Sequence, residues 1–285
     1  MHPVLFHLGS LVIPSYGAVA ALGVLLALGL AQWTAPKCRL DPRHAWNVMV
    51  LAVFAALALS RLVLIAMNLS DLRRHPQWLL AIAMVHHPLL AGIGIAGAAI
   101  AVLAYARWQR LSLVVVGDVL AAPACLGLAA EQFGALLAGS DYGREWIQAD
   151  GRAGIWAVVY NDPLASRWSG APLGTPVYPV QAYAAVGALM LAILLVLWMP
   201  LPRRRGDAAG AVLIGLGALL FITELFRDWE GRGALMGGLV DIPQLVGLGV
   251  VVLGGVVLWE WRTSSRESQA VDERTVHERP GDVDI

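Results

Sequence analysis

Seven apolar stretches leave this chain few options for its fold. They run approximately from Tyr16 to Trp33, Trp46 to Met67, Leu89 to Tyr105, Val114 to Leu137, Gln181 to Trp198, Gly210 to Phe226 and Ile242 to Trp259. A helix needs roughly 20 apolar residues to cross the hydrocarbon core of a bilayer. The chain is 58% hydrophobic and 14% charged, where soluble domains carry about 25% charged residues. These features predict an all-α polytopic membrane protein with seven transmembrane helices. The third stretch is short and holds Gly92, Gly94 and Gly97, which suits close helix packing or a broken helix beside a cavity. The residues ahead of the first stretch lack the basic region of a secretory signal. That stretch is also too long for a signal core, so it is expected to remain as a helix.

Basic residues in the short loops set the expected orientation. Lys37, Arg39 and Arg43 follow the first stretch, Arg107 and Arg110 the third, Arg203, Arg204 and Arg205 the fifth, and Arg262 and Arg266 the seventh. All fall on one side, read as cytoplasmic, which leaves the N-terminus periplasmic. The other side keeps Arg73, Arg74, Arg144, Arg152, Arg167, Arg227 and Arg232. Residues 1–262 are read as the membrane domain, with a small periplasmic head at about 139–179 that is rich in Trp, Gly and Pro. Residues 263–285 are charged and poor in apolar surface, and are read as a disordered cytoplasmic tail.

The formal net charge of zero removes any argument for nucleic-acid binding through a basic surface. Cys38 lies in a basic loop and Cys125 in an apolar stretch, so a disulfide between them is not expected, and neither has a metal or redox spacing. The pair His86-His87 has no ligand spacing beside it. No metal site is expected.

Ionisable residues inside spans cost at least about 2.5–3.5 kcal/mol each on insertion scales, which marks them as functional candidates. Arg61, Asp118, Glu131 with Gln132, Glu224 and Arg227 fall in this class. Two of them have plain structural readings: Arg61 snorkelling toward headgroups, and Asp118 capping or tethering helices. Glu224 and Arg227 are three residues apart, so they share a helical face and are able to pair. The stretch Ala138-Gly-Ser-Asp-Tyr-Gly-Arg144 adds two glycines, Asp141, Tyr142 and Arg144 where the fourth helix leaves the lipid. Glycines let a backbone approach a ligand closely, and the arginine fork suits phosphate. The alternative there is a glycine-rich turn with its arginine among headgroups. Asp141, Tyr142 and Arg144 join Arg61, Glu224 and Arg227 on the outer side, and a polar cavity opening to the outer leaflet accounts for these six together.

Several motifs in this order resemble the bacterial prolipoprotein diacylglyceryl transferase family, from Met1 to about Trp259. They are HPVLFHLGSLVIPSYG (His2 to Gly17), SRLVLIAMN (Ser60 to Asn68), GLAAEQFGALLAGSDYGR (Gly127 to Arg144), GAPLGTPVYPVQAYAA (Gly170 to Ala185), ITELFR (Ile222 to Arg227) and GGLVDIPQL (Gly237 to Leu245). The resemblance implies seven helices around a lipid cavity in the bacterial inner membrane. It implies transfer of the diacylglyceryl unit of phosphatidylglycerol to the lipobox cysteine thiol of a prolipoprotein, releasing glycerol 1-phosphate, with membrane lipids as surroundings and no cofactor. By this resemblance Tyr16, Tyr142 and Glu224 are catalytic, while Arg61, Gln132, Gly134, Gly139, Gly143, Arg144 and Arg227 hold lipid and phosphate.

The chain also departs from the family pattern. Ala91 falls where the family has a histidine or tyrosine, Gln132 at the arginine that contacts the lipid phosphate, and Ala135 at a polar residue. Tyr178 falls at a histidine, Ala184 at a glutamate and Leu220 at a second arginine. His86, His87, Arg144 and Arg152 are the candidates to compensate. The alternative reading is a catalytically inactive relative that binds phospholipid or lipoprotein precursor. A transporter is disfavoured, because the chain has no internal repeat and its ionisable residues gather toward one face.

Overall fold

A computed structural model describes residues 2–8, 11–69, 88–148, 152–227 and 240–277. Arg73, Arg74, His86, His87, Arg232 and the last eight residues of the expected tail lie outside the described residues.

Among the described residues, seven helices are long and apolar enough to cross a membrane. They are α1 (Ser15–Lys37), α2 (Pro42–Met67), α3 (Pro88–Trp108), α4 (Leu113–Ala138), α6 (Val180–Trp198), α7 (Asp207–Glu224) and α8 (Ile242–His277), with a short helix α5 (Pro163–Ser169) between α4 and α6. The span within α8 is Ile242–Trp259, and its backbone continues as helix into the charged segment beyond. Leu25, Phe54, Ile95, Leu194 and Leu197 point outward and are exposed. α2 likewise turns Phe54, Leu57 and Leu62 outward, so its outer surface is apolar and suits lipid.

The element order also contains strands that the sequence reading does not anticipate. β1 (Val4–Leu8) and β2 (Leu11–Pro14) pair antiparallel just ahead of α1. They join the helix start through the Ser15 amide, which donates to the Pro3 carbonyl at 2.9 Å. Beyond α4, β3 (Val158–Val159) and β4 (Pro176–Val177) form a second two-stranded pair. Tyr160, Ala165, Ala171 and Val177 make a small separate core there, so the segment expected as a head does fold upon itself.

α4 is the axis of the bundle. Val116 and Val119 pack with Ala31, Ala35, Val48 and Tyr105 from α1, α2 and α3. Ala121, Ala122 and Cys125 pack with Ala192, Leu195, Ala208 and Val212 from α6 and α7. Small residues at these contacts let backbones approach, which is how helices gain packing energy where no hydrophobic effect acts. The expectation for the third stretch resolves the same way: α3 is continuous, and Gly94 and Gly97 lie against Ala55, Ala56 and Leu59 of α2. Helices α7 and α8 meet at two reciprocal glycine pairs, Gly210 with Gly254 and Gly217 with Gly247.

Asp118 takes the tethering role. Its two carboxylate oxygens accept from the backbone amides of Gly206 at 2.7 Å and Ala209 at 2.8 Å. A residue inside α4 thus caps the N-terminus of α7, meeting both the orphan amides and the positive end of the helix dipole. At α8, Asp241 and Gln244 form a reciprocal capping box through Gln244 N to Asp241 Oδ1 at 2.8 Å and Asp241 N to Gln244 Oε1 at 3.1 Å.

Asp118→Ala leaves buried amides without acceptors and is expected to cost about 1–3 kcal/mol, read as a lower Tm in detergent. Asp118→Asn retains one acceptor oxygen and is expected to fall between the two.

Candidate active site where α4 leaves the membrane

The ends of α1, α2, α4, α6 and α7 that carry Tyr16, Arg61, Ala138, Gln181 and Glu224 lie at one end of the bundle. α4 ends there at Gly139, whose φ of 83° is left-handed. A Cβ at this position would come within 3.1 Å of Tyr160 and Ala165. A glycine is therefore required on two counts, conformation and space. Asp141 also has a positive φ, 58°, which aspartate tolerates better than most residues.

Two polar groups form at this end. In the first, the Tyr16 hydroxyl donates to Glu131 Oε1 at 3.0 Å and Gln132 Nε2 donates to Glu131 Oε2 at 2.7 Å. The start of α1 reaches α4 because residue 134 is glycine: a Cβ there would sit 3.2 Å from the Tyr16 carbonyl oxygen and 3.3 Å from its Cα. In the second, Arg227 Nε lies 3.2 Å from Glu224 Oε1, and Arg227 Nη1 lies 3.5 Å from Asp141 Oδ1. The pairing expected between Glu224 and Arg227 is thus present. Both side chains are nearly buried, at 4% and 10% exposure. The two groups share one electrostatic environment, since the charges of Asp141 and Arg227 act on Glu131, and those of Asp141 and Arg61 act on Tyr16.

Behind this end stands a frame of backbone hydrogen bonds. Gly143 N donates to Tyr178 O at 2.9 Å, Tyr178 N to Arg144 O at 3.0 Å, and Arg144 N to Phe226 O at 3.0 Å. Residues 143 and 144 therefore link the strand before α6 to the end of α7. Gly143 has no room for a side chain: a Cβ would meet Phe226 O at 2.6 Å and Val180 Cγ2 at 2.6 Å. The Tyr178 ring stacks on Trp146 with centroids 4.2 Å apart and packs against Phe226 at 5.5 Å. Gln181, fully buried at the start of α6, donates to Ser140 O and to the Tyr160 hydroxyl, the latter at 3.3 Å.

Tyr16, Gln132, Gly134, Glu224 and Arg227 are thus brought together, with Arg61 within electrostatic reach and Gly139 and Gly143 shaping the backbone. Tyr142 and Arg144 turn elsewhere. The Tyr142 hydroxyl donates to the Gly170 carbonyl at 3.1 Å, and the exposed Arg144 guanidinium lies 5.6 Å from the centroid of the Tyr178 ring. Gln181 is a part of the site that the sequence reading does not single out, while Glu131 and Asp141 stand among its ionisable candidates with no role assigned by the resemblance. A polar pair within an apolar run was the available signal for Glu131, and a glutamine at the head of one for Gln181.

The family model described as prolipoprotein diacylglyceryl transferase matches residues 3–260. The chain is 26% identical over 276 residues to the phosphatidylglycerol–prolipoprotein diacylglyceryl transferase of Photobacterium profundum, covering 93% of this chain and 95% of the relative. It is 25% identical over 278 residues to the protein of that name from Pseudoalteromonas translucida, with the same coverage. Over a shorter stretch of 174 residues it is 31% identical to that of Methylibium petroleiphilum.

Gly143→Ala places a methyl group against backbone and is expected to loosen the frame, read as faster proteolysis between residues 140 and 180. Burial pushes the Tyr160 hydroxyl from the ordinary 10.0 up to about 12, against the opposing hydrogen bond from Gln181. A raised folded value means stability that is complete below pH 10 and lost as pH rises toward 12. Tyr160→Phe is expected to remove that alkaline dependence from a Tm-against-pH series.

Proposed function

The chain belongs to the prolipoprotein diacylglyceryl transferase family, and we propose that it moves the diacylglyceryl group of phosphatidylglycerol onto the lipobox cysteine of a lipoprotein precursor. The carrying observation is the ion group where α4 ends, with the nearly buried Arg227 held between the buried Glu224 and the part-exposed Asp141. In this reaction a thiolate sulfur attacks the glyceryl carbon, the carbon–oxygen bond to phosphate breaks, and glycerol 1-phosphate leaves with the electron pair. Negative charge grows on the leaving phosphate. A preorganised cation in a water-poor site stabilises that charge far more than it would in water.

In this reading Arg227 and Arg61 face the phosphate, and Glu224 holds the Arg227 guanidinium in place. Tyr16 and Gln132 lie beside the reacting carbon, and Gly134, Gly139 and Gly143 provide the room. The acyl chains occupy a lipid cavity between the helices. Tyr142 and Arg144 act at the head, where the acceptor peptide arrives. The reaction needs no metal or soluble cofactor. The protein sits in the inner membrane with its N-terminus and head periplasmic and its charged C-terminal tail cytoplasmic, as the loop arginines favour.

Purified protein in phosphatidylglycerol liposomes is expected to transfer labelled diacylglycerol to a lipobox peptide. Arg227→Ala and Glu224→Ala are each expected to lower the rate by about 10²–10³-fold, the usual cost of removing one anion-stabilising group. A wild-type protein that binds the lipid without turnover would overturn the reading in favour of an inactive binder.

A further inference from the structure

The transfer needs a group to accept the thiol proton, because the thiolate and not the thiol is the nucleophile. Three carboxylates stand at the described site, and their partners separate them. Glu224 lies 3.2 Å from Arg227 Nε and Asp141 lies 3.5 Å from Arg227 Nη1. Arg227 thus already engages both of these carboxylates as ion-pair partners. The described hydrogen-bond partners of Glu131 are instead neutral, the Tyr16 hydroxyl at 3.0 Å and the Gln132 amide at 2.7 Å. Both oxygens accept, the arrangement of a carboxylate that still has a proton to gain.

We infer that Glu131 is the proton acceptor of the transfer, working through the Tyr16 hydroxyl. This rests on the transferase reading above. The Tyr16 hydroxyl takes the proton of the acceptor thiol as it passes its own proton to Glu131. The thiolate sulfur then forms its bond to the glyceryl carbon, and the glycerol phosphate departs with the electrons of the broken carbon–oxygen bond. The proton on Glu131 returns through Tyr16 to the leaving phosphate. Gln132 holds the second Glu131 oxygen, and the Tyr16 backbone seated on Gly134 sets the relay. Among the described residues, the charged groups that reach this relay are Arg61 from α2, Asp141 after α4, and Arg227 beyond α7, itself paired with Glu224. Glu131 acts through another residue and is a positioning base, whereas Tyr16 meets the substrate.

The test pairs two lipobox peptides that differ only in cysteine or selenocysteine, each presented under reducing conditions to protein in phosphatidylglycerol liposomes. A selenol is already ionised at neutral pH and needs no base. Glu131→Gln is expected to lower kcat/KM for the cysteine peptide by about 10²–10⁴-fold, the usual contribution of a general base. The same variant is expected to process the selenocysteine peptide within a few-fold of wild type. Tyr16→Phe is expected to show the same split, and it serves as the second probe if Glu131→Gln does not fold. Equal losses on both peptides, or a cysteine rate unchanged in Glu131→Gln, would overturn this assignment while leaving the transferase reading intact. A wild-type protein silent with both peptides overturns the transferase reading and the assignment with it.

Discussion

Inside a bilayer every polar group must find its partner within the protein, because the hydrocarbon offers none. In this chain that demand falls chiefly on α4, the helix with apolar contacts to five other spans. Toward one end its Asp118 supplies the acceptors for two amides at the N-terminus of α7, those of the capping Gly206 and of Ala209. One residue further along, the Val119 carbonyl accepts from Thr34 of α1 at 2.9 Å. At the opposite end Glu131 accepts from the Tyr16 hydroxyl, also of α1, and from the adjacent Gln132 amide. The same helix is therefore held at both ends by hydrogen bonds to neighbours, and its middle is left to small apolar residues. α1 and α7 take their positions from these ties, and the site takes its position from α1 and α7.

The ion group at that site is stable only as a set. A guanidinium that is nine-tenths buried is costly unless its charge is matched, and removing one partner from such a pair is typically worth about 3–5 kcal/mol. Arg227 is matched twice, by Glu224 one helical turn earlier and by Asp141 from the loop after α4. The contact with Asp141 ties the end of α7 to the exit of α4, which is the same joint that the Arg144 amide makes with Phe226 through the backbone. Electrostatics and backbone bonding thus agree on one geometry. A site built this way meets a developing phosphate charge without first rearranging.

Much of this was legible in the chain. The seven spans appear where the apolar stretches run, because hydropathy is a property of a local window. Glu224 and Arg227 pair because three residues is nearly one helical turn. The tether at Asp118 was one of its open readings, and the partners Gly206 and Ala209 decide it. Other features were not legible. The hairpin ahead of α1 consists of two short strands whose pairing is decided by their docking to the helix start. Tyr142 and Arg144 stand in a motif that suggests the reacting centre, yet their side chains turn to Gly170 and Tyr178 because the backbone at residues 143 and 144 is bound on both sides. Glu131 was visible as a polar residue in a span, but its role depends on a tyrosine 115 positions away.

From the sequence alone it follows that the chain enters a membrane, that it does so in seven spans, and which ionisable residues the bilayer would not tolerate unpaired. These follow from local composition and from the cost of moving charge out of water. Tertiary structure alone decided which of those residues meet. Helix packing brings Tyr16 to Glu131 across a glycine, and a loop in a left-handed turn brings Asp141 to Arg227. Each helix repeats every 3.6 residues whatever stands beside it, so its own pattern does not name its neighbour. The neighbour is chosen by the fit of small residues and by the few polar groups that must be satisfied together.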